Sequence, residues 1–75
     1  MTTGERIRAR RKELGLSTYT LAARAGVYRC SLQRYETDKG DPSLFAAICI
    51  ADVLGVSLDW LTGRTDDPQM GGRTL

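Results

Sequence analysis

The 75-residue chain is predicted to be an all-α domain of five short helices. Three observations predict this. Apolar residues recur at three- and four-residue spacing, and no segment shows the strict alternation of a strand. Capping residues (Thr2, Ser17, Ser43, Ser57) alternate with glycines (Gly15, Gly26, Gly55, Gly63) at the intervals of short helices. Residues 18–36 carry the spacing of two helices joined by a sharp turn.

Helix 1 is expected from about Gly4 to Leu14, opened by a Thr2/Glu5 capping box and ended by Gly15. Its inner side is thin, with Ile7, the stem of Arg11, and Leu14 beside the small Ala9. Helix 2 follows Ser17 and ends at Gly26, with Leu21, Ala22 and Ala25 on one face. Gly26 supplies the turn, because without a Cβ it enters backbone regions that other residues resist. Helix 3 spans roughly Arg29 to Glu36, with Val27, Leu32 and Tyr35 inward. A larger side chain at Ala22 would push helices 2 and 3 apart. This is the helix-turn-helix layout, whose second helix can lie in the DNA major groove.

Residues 37–42, TDKGDP, are turn-rich. Helix 4 is expected after Ser43 to Leu54, with Leu44, Ala47, Ile48, Ala51 and Leu54 as its core face. A last helix, Ser57 to Thr62, turns Leu58 and Leu61 inward and packs Trp60 along its side. The domain is expected to occupy residues 1–64, and the polar segment 65–75 is expected to be a flexible tail.

One domain near the lower size limit for a single core follows from the length. Cys30 and Cys49 form no C-x-x-C pair and the chain has no histidine, so neither a zinc site nor a Cys-His or Ser-His nucleophile can be built. No enzyme, metal or cofactor is expected. With no membrane-length apolar run and no signal-peptide pattern, the chain is expected to be soluble and intracellular. The net charge is only +2, but residues 1–39 hold nine basic against four acidic residues, a balance of +5. Residues 40–75 hold two against five, a balance of −3. This asymmetry suits one nucleic-acid face, although Arg-rich solvated helices would produce it too.

The segments ERIRARRKELGLS, LAARAGV, SLQRYE-x-x-K-x-x-PSL and ADVLGVSLDWLTGR resemble the phage repressor and Cro type of helix-turn-helix domain, over roughly Gly4 to Arg64. The resemblance implies a lambda-repressor-like five-helix bundle and a sequence-specific transcriptional regulator that binds a palindromic DNA operator as a homodimer. It places base reading at Arg29, Cys30, Gln33 and Arg34. The chemistry agrees for three of them: arginine can bond O6 and N7 of guanine, and glutamine can pair with adenine. Each can equally contact phosphate or water, and Cys30 can touch a thymine methyl or simply be small. Phosphate contacts are implied at Ser17, Thr18 and Tyr19, at a helix N-terminus, and at Tyr28, Thr37 and Lys39.

Three positions depart from the family pattern. Thr18 stands where glutamine is frequent, Thr37-Asp38 stands for the usual Asn-Gly, and Tyr28 replaces a capping residue. Asp38 tolerates a left-handed backbone better than most residues. Arg11 and Glu36 match a buried ion pair that ties helix 1 to the recognition helix. For the dimer, the resemblance points to Val56, Ser57, Leu58 and Trp60. A second candidate, from the sequence itself, is the stripe Phe45, Cys49 and Val53 on helix 4. Two further functions fit the same fold: an antitoxin holding its toxin through the tail or the apolar stripe, and a protein-interaction adaptor that no longer binds DNA.

Overall fold

The computed structural model describes residues 1–68. Five helices form, α1 (Thr3–Glu13), α2 (Thr18–Ala25), α3 (Arg29–Glu36), α4 (Leu44–Leu54) and α5 (Leu58–Leu61), with no strand among the described residues. Four start on a side-chain cap. Thr2, Ser17, Ser43 and Ser57 each accept a hydrogen bond from the backbone N–H three residues on. At α1 the box is closed in both directions, since the Thr2 N–H donates to Glu5 Oε1 at 2.9 Å. Gly26 takes φ 72°, and behind it the Val27 N–H reaches back to the Ala22 carbonyl at 3.0 Å. That left-handed step ends α2 and turns the chain into α3.

The core is one cluster. Ile7, Leu21, Leu32, Ile50, Leu54, Val56 and Leu61 are fully buried, with Ala22, Ala25, Ala47 and Ala51 filling the close approaches between helices. Burying each of the large side chains contributes about 1.5–3 kcal/mol. Helix α1 also docks through Gly4. A Cβ there would collide with the carbonyl oxygen of Tyr35 and come within 2.7 Å of Asp38 Oδ1. The missing side chain therefore lets the first turn of α1 rest on the end of α3.

Three expectations about the core need correction. Leu14 is exposed, and on α4 so are Leu44 (69%) and Ile48 (40%), while Ile50 is buried in their place. The sequence LFAAICIADVL is apolar around most of its circumference, so spacing alone defines no face. Packing against α2, α1 and α5 selects Ala47, Ile50, Ala51 and Leu54.

Residues 65–68, where the flexible tail is expected to begin, are exposed apart from the half-buried Thr65 and are linked to the bundle by hydrogen bonds from Arg6 and Ser57. Arg6 is buried and donates to the carbonyls of Trp60 (3.0 Å) and Thr65 (3.4 Å) and to Asp66 Oδ1 (3.3 Å), with its guanidinium 5.1 Å from the Trp60 ring centre. The Ser57 N–H donates to the Pro68 carbonyl at 2.9 Å. The remainder of the expected tail, 69–75, lies outside the described residues.

Candidate nucleic-acid interface

Helix α3 has one buried and one exposed side. Leu32 and Glu36 are buried and Tyr35 is half-buried, whereas Arg29, Cys30, Gln33 and Arg34 are all exposed. Positions i, i+1, i+4 and i+5 share a helix face, so the fold presents these four as one outward surface. Arg29 is the first helical residue, preceded by Tyr28, which is 80% exposed and makes no side-chain cap bond. The first-turn N–H groups of α3 thus lack the partner that a Ser or Asp would give them, and they can donate to an anion instead.

The orientation of this surface is fixed from behind. Arg11 on α1 meets Glu36 at the end of α3 in a two-pronged ion pair, Nε to Oε2 at 2.8 Å and Nη2 to Oε1 at 2.9 Å, with both side chains largely buried. The remaining Arg11 Nη1 donates to the Leu16 carbonyl at 2.9 Å, which ties in the α1–α2 connection.

The expected phosphate contacts fall in two places. At the start of α2, Ser17 and Tyr19 are exposed and Thr18 is half-buried. The Ser17 hydroxyl accepts from the Thr20 N–H (3.0 Å) and donates to its hydroxyl (2.9 Å). Beyond α3, Thr37 and Lys39 are exposed, and the Thr37 hydroxyl bonds the Gln33 carbonyl at 2.9 Å. Asp38 adopts φ 60°, the left-handed shape its residue type tolerates, and its carboxylate accepts from the Thr2 hydroxyl at 2.8 Å. Nothing local predicts this link across 36 positions. Nor does spacing distinguish the roles of the basic residues on α1. Arg6 is buried, Arg10 binds the Leu54 carbonyl and Glu13, and Arg11 holds Glu36, leaving Arg8 and Lys12 as exposed charge on that helix.

The proposed dimer residues are placed unevenly. Val56 is fully buried, because it follows the α4 turn directly into the core, and it has no surface to offer a second chain. Ser57 spends its hydroxyl on capping α5, while Leu58 and Trp60 are half-buried against the core. Phe45 is 77% exposed. With Tyr28, Tyr35 and the half-buried Cys49 it lines a shallow open groove of about 250 Å³.

A helix-turn-helix family model matches residues 7–61. The chain belongs to the helix-turn-helix family. It is 38% identical over 64 residues to the immunity repressor protein of Bacillus phage phi105, a match covering 85% of this chain and 44% of that protein. The chain thus spans less than half the length of this curated relative. Among solved structures, it resembles the P22 c2 repressor in complex with synthetic operator 9T, with a TM-score of 0.80, 31% identity, and coverage of 83% of this chain and 94% of the other. The DNA-binding domain of SinR from Bacillus subtilis gives a TM-score of 0.76 and 37% identity, covering 79% and 87%. Both solved neighbours share the all-helical architecture described above. Among the described residues of this helix-turn-helix chain, no helix is long and apolar enough to cross a membrane, and no group of His, Cys, Asp and Glu could hold a metal ion.

Proposed function

We propose that this chain is a sequence-specific DNA-binding transcriptional repressor, acting in the cytoplasm on a palindromic operator as a homodimer. The observation that carries the reading is the outward face of α3, polar and basic, held at a fixed angle by the buried Arg11–Glu36 pair. Arg29 stands at the N-terminal end of that face, the end that enters the major groove in this motif. Cys30 and Gln33 flank it. Ser17, Thr18, Tyr19 and Tyr28 serve one DNA strand and Thr37 and Lys39 the other. The similarity to a phage immunity repressor and to an operator-bound repressor supports the same reading.

A dimer is proposed because one recognition helix covers only a half-site, and a twofold pair spans about one DNA turn. The surfaces remaining for it are Ser57, Leu58 and Trp60 around α5, and Phe45 with Cys49 on α4.

The test is selection of a duplex from a randomised pool by the chain, followed by fluorescence anisotropy on the enriched and a scrambled duplex at two salt concentrations. The expected result is a preference of about a thousandfold or more for the enriched duplex, two chains per duplex, and affinity falling steeply with salt. Failure to enrich any sequence, or equal weak binding to both duplexes, would overturn the proposal and favour a protein partner.

A further inference from the structure

Arg34 lies at the edge of the exposed α3 face, and its side chain is already engaged. Its Nη2 donates to the Lys39 carbonyl at 2.9 Å, while the Lys39 N–H donates to the Arg34 carbonyl, also at 2.9 Å. Residue 39 is therefore held through both of its backbone groups by residue 34. The guanidinium also lies along the chain at Gly40: a Cβ there would stand 3.4 Å from both Nε and Nη2. The rest of the connection is tied as well. The Thr37 hydroxyl bonds back to the Gln33 and Arg34 carbonyls, and Asp38, left-handed at φ 60°, is anchored by Thr2.

We propose that Arg34 is a positioning residue, which builds the 37–40 loop and so sets Lys39 against the DNA backbone, and that it does not read a base. The inference rests on the DNA-binding reading above. A guanine contact needs two parallel donors of one guanidinium edge, and the Nε/Nη2 edge of this one is turned onto the loop, with Nη2 donating to the Lys39 carbonyl and both nitrogens lying along Gly40. A loop made of a left-handed aspartate and a glycine buries little apolar surface to order it. Ordering it before DNA arrives removes that entropy cost from the binding step, which is the general benefit of preorganisation. The division of labour on α3 is then unequal: the Arg29 end carries sequence information, and Arg34 carries affinity common to all sequences.

The experiment uses the full chain with Arg34→Ala, Lys39→Ala and the double variant. Binding is measured on the enriched and scrambled duplexes, and amide hydrogen exchange of residues 37–41 is measured without DNA. Arg34→Ala is expected to weaken both duplexes by the same factor, about fivefold to tenfold, as for a lost phosphate contact. The specificity ratio stays unchanged, and the double variant binds no more weakly than Lys39→Ala. Loop amides exchange faster, and Arg34→Lys, which keeps a donor, restores part of their protection. Because Arg34 is exposed, the thermal midpoint should hold.

Loss of the specificity ratio in Arg34→Ala, or independent multiplying losses in the double variant, would overturn the proposal. So would unchanged loop exchange, which decides the matter even if the wild type shows no sequence preference. A wild type without sequence preference would defeat the DNA-binding reading, while the loop exchange separately reports whether Arg34 builds the loop.

Discussion

Replacing Glu36 by alanine is expected to destabilise the domain by about 3–5 kcal/mol, because it leaves the Arg11 guanidinium buried without its counter-charge. The pair is bidentate and largely buried, and its partners come from helices 25 positions apart. For a chain this small the effect approaches the whole stability, which for native proteins is about 5–15 kcal/mol. The thermal midpoint should fall by more than about 10 °C, at roughly 4–8 °C per kcal/mol for domains of this size. Urea denaturation of Glu36→Ala, Glu36→Gln and the double variant Arg11→Met/Glu36→Leu checks it. The double variant should recover much of the loss, since replacing both partners removes the stranded charge. A Glu36→Ala chain as stable as wild type would mean that the pair does not hold α3.

The second large effect is on recognition. Arg29→Ala should cost about 1–3 kcal/mol of discrimination, the value of one bidentate arginine–guanine contact. That corresponds to a loss of about 5- to 150-fold on the enriched duplex. Binding to scrambled DNA should change far less, and stability should not change, because Arg29 is exposed. Competition anisotropy with duplexes altered one base pair at a time measures it. The mutant should stop distinguishing bases at one position in each half-site. Equal losses on both duplexes would make Arg29 a phosphate contact.

Much of the architecture was legible because local chemistry wrote it. Ser17, Ser43 and Ser57 cap their helices through their own hydroxyls. Gly26 allows the turn, and α3 runs from Arg29 to Glu36 as the spacing of its inward residues and the turn-rich segment after it predict. The Arg11–Glu36 geometry was expected only through family resemblance, since nothing local links two residues on different helices. The misread parts are those in which tertiary packing chooses among equals. Helix α4 offers apolar residues on nearly every side, so Ile48 and Ile50 could not be ranked without its neighbours. Arg6 sits in a run with Arg8, Arg10 and Arg11 that resembles a solvated face, yet Trp60 and the chain after α5 bury it. The bond from Arg34 to the Lys39 carbonyl depends on a loop conformation that no periodicity encodes.

Backbone amide chemical-shift mapping of the full chain, while the enriched duplex is added, locates the DNA-binding surface. Perturbations are expected at residues 17–20, 28–34 and 37–40, on the α2 start, the α3 face and the loop after it. Perturbations confined to the apolar α4 surface around Leu44, Phe45 and Ile48, or to the 57–61 segment, would contradict this placement.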